Sequence, residues 1–271
     1  MYHLIIPCVC TFALSWLVFF ATSAWAPSWD NLQRSRVPSF IHACVLGGLA
    51  LASAPAYLEF LLGARLSELW SFATRFEESW QAAAIGYFLW DLQLMATCPD
   101  VFQWAFVAHH ATVICSMVVG ICYGGSVMNC LFVLHELTLP FTNIHYFLKK
   151  DSPWRVANGV AVRCGGAGCS AAYAGAQTNP SPPPPHTPAR QTRARQLALS
   201  FFFFRIVVVV LVMRSLLLGL LDGQLAALFH RMPNVICVHL ALAVSMAALD
   251  FYWFVQIVRM IAKALVVKKK V

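Results

Sequence analysis

Residues 104–123 read WAFVAHHATVICSMVVGICY, a run of 20 residues without a charged side chain. A helix of this length rises about 30 Å, which matches the hydrocarbon core of a bilayer. Two adjacent histidines, His109 and His110, lie inside the run. The stretch therefore predicts a membrane-spanning helix that holds a polar pair away from bulk water.

The composition of the whole chain agrees with a lipid environment. Of its 271 residues, 60% are hydrophobic and 11% are charged, whereas a soluble domain carries about 25% charged residues. The net charge of +8 comes from basic residues in short loops and at the C-terminus. That placement indicates membrane orientation, so we predict no nucleic-acid partner. The ten cysteines have neither metal-finger nor disulfide-framework spacing.

Seven apolar runs are long enough to cross a bilayer. We therefore predict an all-α membrane protein, a bundle of about seven transmembrane helices. The first run also ends in Ala24-Trp25-Ala26, the form of a signal-peptide cleavage site. A retained helix is favoured, because the amino end has no Lys or Arg and Pro27 would follow the cut. The runs cover about 4–25, 40–62, 81–97, 104–123, 127–148, 199–221 and 235–258.

The basic residues also predict an orientation. With seven spans, most Lys and Arg fall on the side that carries the C-terminus, so the N-terminus is expected in the lumen and the C-terminus in the cytosol. Lys268 and Lys269 stand fourth and third from the end. They look like the dilysine retrieval signal of endoplasmic-reticulum membrane proteins. The alternative is a basic anchor at the lipid headgroups.

Residues 163–196 differ in composition from the rest of the chain. They include Gly165-Gly166 and four consecutive prolines, Pro182 to Pro185. Such a stretch cannot bury enough apolar surface to order itself. We predict a disordered cytosolic insertion without chemistry, either a real loop or an artefact of the gene model.

Ionisable groups inside spanning helices are costly, which makes each of them a functional candidate. His109 and His110 point about 100° apart on one helix. They cannot form the single-face pair that a metal requires, so we predict no metal site. They suit polar partners on two neighbouring helices instead. The predicted catalytic residues are His109, His110, Asp91 and Glu136, and the predicted substrate-binding residues are Tyr87, Asn143, Arg205 and Asp250.

A purely structural interpretation of these residues stays open. A buried histidine and a buried acid can simply hydrogen-bond and fix helix packing. Arg205 can extend its charge to the interface, and Arg214 can pair with Asp250 or Asp91. His42, His145 and His239 are interpreted as interior or interfacial histidines.

Taken in order, five motifs resemble the TLC domain family. The last three are its histidine pair, a fifth-helix segment similar to its TLC-domain-containing, non-ceramide-synthase branch, and a piece of its sixth helix. The motifs are Arg36-Val37-Pro38-Ser39-Phe40-Ile41-His42-Ala43, Gly86-Tyr87-Phe88-Leu89-Trp90-Asp91, Phe106-Val107-Ala108-His109-His110, His135-Glu136-Leu137-Thr138-Leu139-Pro140-Phe141-Thr142-Asn143 and Phe204-Arg205-Ile206.

The resemblance implies helices around a lipid-accessible cavity. In the ceramide synthases of this family a histidine pair carries acyl transfer from acyl-CoA to a sphingoid-base amine, a role that would fall on His109 and His110. Those enzymes also have an Asp-x-x-Asp pair on the next helix, whereas the next acids here are Glu136 and Asp151. The expected domains are 1–33, a first transmembrane helix and loop; 34–263, the TLC domain; and 264–271, a basic cytosolic tail.

Two functions from different classes are therefore predicted. The first is a multi-pass endoplasmic-reticulum protein of lipid homeostasis that binds or processes acyl lipid in a cavity. The alternative is a fatty-acyl-CoA-dependent sphingoid-base N-acyltransferase. A transporter or channel is a third interpretation, but no inverted repeat supports it. The expected partners are membrane lipids or fatty acyl chains; no cofactor is predicted beyond acyl-CoA as a co-substrate, and a homodimer is left open.

Overall fold

The computed structural model of the protein describes residues 2–62, 74–140, 143 and 202–267. Every regular element in these ranges is helical, as predicted. In chain order the elements are α1 (Tyr2–Trp25), α2 (Asn31–Leu62), α3 (Arg75–Thr97), α4 (Trp104–Tyr123), α5 (Ser126–Val133), a 3₁₀ helix (Leu134–Thr138), a π-helical turn (Phe202–Val207), α6 (Val208–Leu221), α7 (Gln224–Arg231) and α8 (Pro233–Val267).

The predicted count of seven spans is not confirmed. Within the described ranges, α1, α2, α4 and α8 are long and apolar enough to cross a membrane, and the bent pair of α6 and α7 makes up to five. The predicted third span lies in α3, which carries Gln81, Asp91 and Gln93 and does not pass the same test. The predicted fifth span begins as α5 but changes to a 3₁₀ helix after Val133.

The most buried helix of the bundle is α3. It starts at a capping box, in which the Thr74 hydroxyl accepts from the Glu77 backbone N–H and the Glu77 carboxylate accepts from the Thr74 backbone N–H. Trp90 and Leu94 on this helix are completely buried. Gln81 on this helix is also completely buried, whereas Gln93 is exposed and bonds to the first helix.

The first helix packs directly against α3. A Cβ atom at Gly86 would collide with the backbone carbonyl of Cys8, so the two helices touch where Gly86 has no side chain. The Trp16 indole donates to the Gln93 side chain at 3.1 Å, and its ring meets Trp90 edge-on. Residue numbers rise together along this contact, so α1 and α3 are parallel. The first helix is thus an integral part of the bundle.

A sharp elbow separates α6 from α7. Gly223 has φ of 74°, a left-handed conformation that glycine adopts without steric cost, and the two helix axes differ by 83°. Leu225 on α7 is buried, whereas His230 and Arg231 are exposed. The sixth predicted span therefore ends in a short amphipathic helix that turns away from the bundle direction.

Helix α4 runs antiparallel to α3 and to α8, and these pairs bring polar residues to one level. The end of α3, the start of α4, the 3₁₀ helix and the middle of α8 meet there, as their side-chain contacts show. The predicted insertion at 163–196 and the lysines of the C-terminal tail lie outside the described residues.

Candidate functional site

Asp91 and His110 form the first of two acid–imidazole pairs. Asp91 is near the end of α3 and His110 is near the start of α4, and these antiparallel helices place Oδ2 of Asp91 3.3 Å from Nδ1 of His110. The two side chains are 18% and 8% exposed. The pair is thus almost enclosed, but the carboxylate retains a small open edge.

His109 and Glu136 form the second pair. Nε2 of His109 lies 3.9 Å from Oε1 of Glu136 on the 3₁₀ helix, which is within ion-pair distance but too long for a hydrogen bond. Among the described residues, neither Nδ1 of His109 nor Oε2 of Glu136 has a hydrogen-bond partner. Both side chains are about 5% exposed. Buried polar atoms in this state are well suited to bind a polar ligand group.

A polar hollow of about 50 Å³ lies beside the first pair. This volume is enough for a few water molecules. Its polar wall combines one guanidinium, two carboxylates, an imidazole and several hydroxyl and amide groups. These are Ser35, Arg36, Ser39, Tyr87, Asp91, Gln103, His110 and Glu136.

A second hollow, of about 20 Å³, lies beside the second pair. Its wall is mainly apolar and includes Phe88 from α3, Met117 from α4, Phe132 from α5 and Met246 from α8. Glu136 lines this hollow as well as the polar one. The Glu136 carboxylate therefore stands where a polar space and an apolar space adjoin.

Two of the predicted substrate-binding residues are at the polar hollow or its edge. Tyr87 is buried and lines it. The Asn143 amide donates to the Ser39 hydroxyl at 2.9 Å and its oxygen accepts from Arg36 at 3.3 Å. Asn143 thereby holds two residues of the hollow wall in place.

The other two predicted substrate-binding residues, Arg205 and Asp250, contact each other instead. The Arg205 guanidinium donates to Oδ1 of Asp250 at 3.0 Å, and Oδ2 of Asp250 lies 3.1 Å from Nδ1 of His135. Arg205 also donates to the Thr138 hydroxyl at 3.2 Å and packs over the Trp253 ring. Neither residue is among those that line the two hollows described here. Their environment is a buried ion pair that ties the 3₁₀ helix to α8.

Sequence reasoning did not assign two residues of this region to the site. In the sequence, Arg36 counts among the charges that set orientation and His42 among the interior or interfacial histidines, and both belong to the first of the five motifs. In the structure Arg36 lines the polar hollow, and His42 stacks on Tyr87 with ring centres 3.6 Å apart. The signal was present in the segment 36–43, where Arg36, Ser39 and His42 recur at helical spacing.

The described residues contain no group of three His, Cys, Asp or Glu side chains that could hold a metal ion. The acid–imidazole contacts are pairwise, and they lie on two sides of α4. This arrangement can bind hydrogen-bond donors, and a neutral imidazole next to a carboxylate can accept a proton from a bound amine or hydroxyl.

Residues 33–163 match the protein-family model described as TLC domain. This part of the chain is a TLC domain. The match includes α2 to α5 and the 3₁₀ helix, and therefore both acid–imidazole pairs. The TLC domain indicates an integral membrane protein with a lipid-related function. No curated protein and no solved structure matches the chain.

Proposed function

We propose that the protein acts in lipid homeostasis by binding an acyl lipid where its two hollows adjoin. The observation that carries this proposal is the position of Glu136, which lines a polar hollow on one side and an apolar hollow on the other. An acyl lipid is likewise divided into a polar head and an apolar chain. Its polar head would contact Asp91, His110 and Arg36, and its chain would lie beside Phe88 and Phe132.

The hollows have the volume of water molecules, so a lipid would enter only as helices separate. Met117 on α4 and Met246 on α8 form part of the apolar wall where these two helices meet. Methionine side chains are flexible and tolerate repacking. We therefore propose that the chain of the lipid enters between α4 and α8.

The polar hollow lies between the end of α3, the start of α4 and the 3₁₀ helix, together with Arg36. The distribution of basic residues predicts that this end of the bundle faces the cytosol. A head group, or a water-soluble donor such as acyl-CoA, would then approach from the cytosol. We place the protein in the endoplasmic reticulum because of Lys268 and Lys269. Replacing both lysines by serine should release a fluorescently tagged protein to later membranes, and unchanged localisation would remove this support.

Lipid that co-purifies with the full-length protein tests the main proposal. Mass spectrometry of the purified protein should detect an acyl lipid that is enriched over the bulk solubilised membrane. Glu136→Gln should lose that enrichment, whereas the matched variant Gln81→Met, on the same bundle but outside both hollows, should keep it. A wild-type lipid profile identical to the bulk membrane would exclude the proposal.

A second function, N-acyl transfer from acyl-CoA, is favoured by the acid–imidazole pairs. His109 or His110 would take a proton from an attacking amine; the amine nitrogen would form an amide bond to the acyl carbon, and the coenzyme thiolate would leave and accept a proton. General base catalysis of this kind contributes about 10²–10⁴-fold to a rate. Purified protein should then transfer labelled acyl groups to a sphingoid base. Full activity in both His109→Ala and His110→Ala would rule out this mechanism.

A further inference from the structure

His42 is a buried histidine next to the candidate site. It lies on α2, is 7% exposed, and stacks on Tyr87 of α3 with the two rings inclined by 19°. The edge of Phe88 closes a second side of its ring at 5.3 Å. Two aromatic rings from α3 therefore fix the imidazole in one orientation.

The nitrogen Nε2 of His42 has no hydrogen-bond partner among the described residues. The same holds for Oε2 of Glu136, which is also buried. Tyr87, on which His42 stacks, lines the polar hollow together with Glu136, and Phe88, which meets the His42 ring edge-on, lines the apolar hollow together with Glu136. His42 thus contacts one wall residue of each hollow that Glu136 lines.

The stack also connects His42 to the wall of the polar hollow. Tyr87 lines the hollow together with Ser39, which lies one helical turn before His42 on α2. A ring that is stacked at 3.6 Å cannot tilt without displacing its neighbour. The position of the Tyr87 hydroxyl therefore depends on His42.

We propose that His42 is a positioning residue of the Glu136 site. Its ring holds Tyr87 against the polar hollow, and its imidazole nitrogen provides a polar environment for the Glu136 carboxylate. The inference rests on the proposed lipid site for its role in binding, but the stack of His42 on Tyr87 exists without a ligand.

Two substitutions separate these contributions. His42→Phe keeps a ring that can stack on Tyr87 but removes both nitrogens. His42→Asn keeps a polar group but removes the ring. If His42 only fills space, His42→Phe should behave as wild type. We expect both variants to lose lipid retention by roughly tenfold, because His42→Phe removes the imidazole nitrogens and His42→Asn removes the ring that stacks on Tyr87.

An infrared measurement tests, without any ligand, whether His42 acts on the Glu136 carboxylate. Full-length protein with ¹³C-labelled glutamate gives the carboxylate band of Glu136 when the spectrum of Glu136→Gln is subtracted. His42→Phe should shift this band, and a band at the wild-type position would overturn the proposal. His239→Phe, a buried histidine on α8, is the matched control and should leave the band unchanged.

The two possible failures are distinct. If the wild-type protein retains no lipid but the band shifts in His42→Phe, the lipid site is wrong and the positioning role stands. If the wild type retains lipid and His42→Phe retains it equally with an unshifted band, the positioning role is wrong and the lipid site stands.

Discussion

Two polar clusters are buried in the same helices, one toward each end of α3, and they differ in charge and in hydrogen bonding. Toward the start of α3, Gln81, Ser116, Asn129 and Cys130 form a neutral cluster. The Asn129 amide donates to the Ser116 carbonyl at 2.9 Å, its oxygen accepts from the Ser116 hydroxyl, and the Gln81 amide donates to Sγ of Cys130 at 3.3 Å. Toward the end of α3, the site around Asp91 and Glu136 is charged and retains unpartnered atoms.

The comparison separates polar residues that stabilise the bundle from those that are available to a ligand. Gln81 and Asp91 lie ten positions apart on one helix, and His109 and Ser116 lie seven apart on another. Neutral side chains that bond to one another fix helix packing in a membrane. A buried carboxylate with an unpartnered oxygen carries an energetic cost that packing alone does not offset. This difference supports the proposal that the charged cluster holds the polar part of the ligand.

The largest expected effect concerns the ion pair that supports the charged cluster. Asp250→Ala leaves the Arg205 guanidinium buried without its carboxylate, which should reduce the free energy of unfolding by about 3–5 kcal/mol. Thermal unfolding of the purified protein in detergent measures this loss. The double variant Arg205→Met with Asp250→Leu is the control and should recover much of the stability. A loss in the free energy of unfolding as small as that expected for a solvent-exposed ion pair would contradict a stabilising role for the buried Arg205–Asp250 pair.

A smaller effect, specific to binding, is expected for Glu136→Gln. The amide preserves the shape of the side chain but removes the charge, so lipid retention should fall by roughly tenfold. Thermal stability should change little, because Oε2 of Glu136 has no hydrogen-bond partner among the described residues. Quantitative mass spectrometry of retained lipid, set beside a melting curve, checks both statements. If lipid retention and thermal stability both fall to the same extent, Glu136 has a structural role like that of the neutral cluster.

The smallest effect is expected for Gln81→Met in the neutral cluster. Removing the amide breaks its hydrogen bonds to Cys130 and Asn129, at a cost of about 1 kcal/mol in the free energy of unfolding. Lipid retention should equal that of the wild type, because Gln81 lines neither hollow. A selective loss of retained lipid in this variant would remove the distinction between the two clusters.

The sequence was sufficient to predict the helical membrane class and to predict that the two histidines face different neighbouring helices, because both follow from local rules. Apolar runs predict helices, and adjacent residues on a helix must face different neighbours. The number of spans was harder to predict. Other helices cover Gln81 and most of Asp91 on α3, so these polar residues are compatible with a position inside the bundle. A hydropathy test does not take such packing into account.

Arg205, Asp250 and His42 show what the sequence could not supply. Sequence reasoning treats each intramembrane charge separately. Whether a charged side chain lines a hollow or forms an ion pair depends on which residue, far along the chain, lies next to it in the fold. Arg205 and Asp250 are 45 positions apart and meet at 3.0 Å. His42 and Tyr87 are also 45 positions apart, and only the packing of α2 on α3 brings their rings together.

The contact between Gly86 and the backbone of Cys8 has a practical consequence for dissecting this protein. A shortened chain that started at residue 33, where the family match begins, would lack α1 and would leave the face of α3 that packs against α1 uncovered. Trp90, which is completely buried and directly precedes Asp91, would then face lipid tails on the side that Trp16 and Phe19 now occupy. The folded bundle therefore includes α1, which precedes the residues that match the family model. A tag placed before Tyr2 should disturb the fold less than a truncation after Trp25.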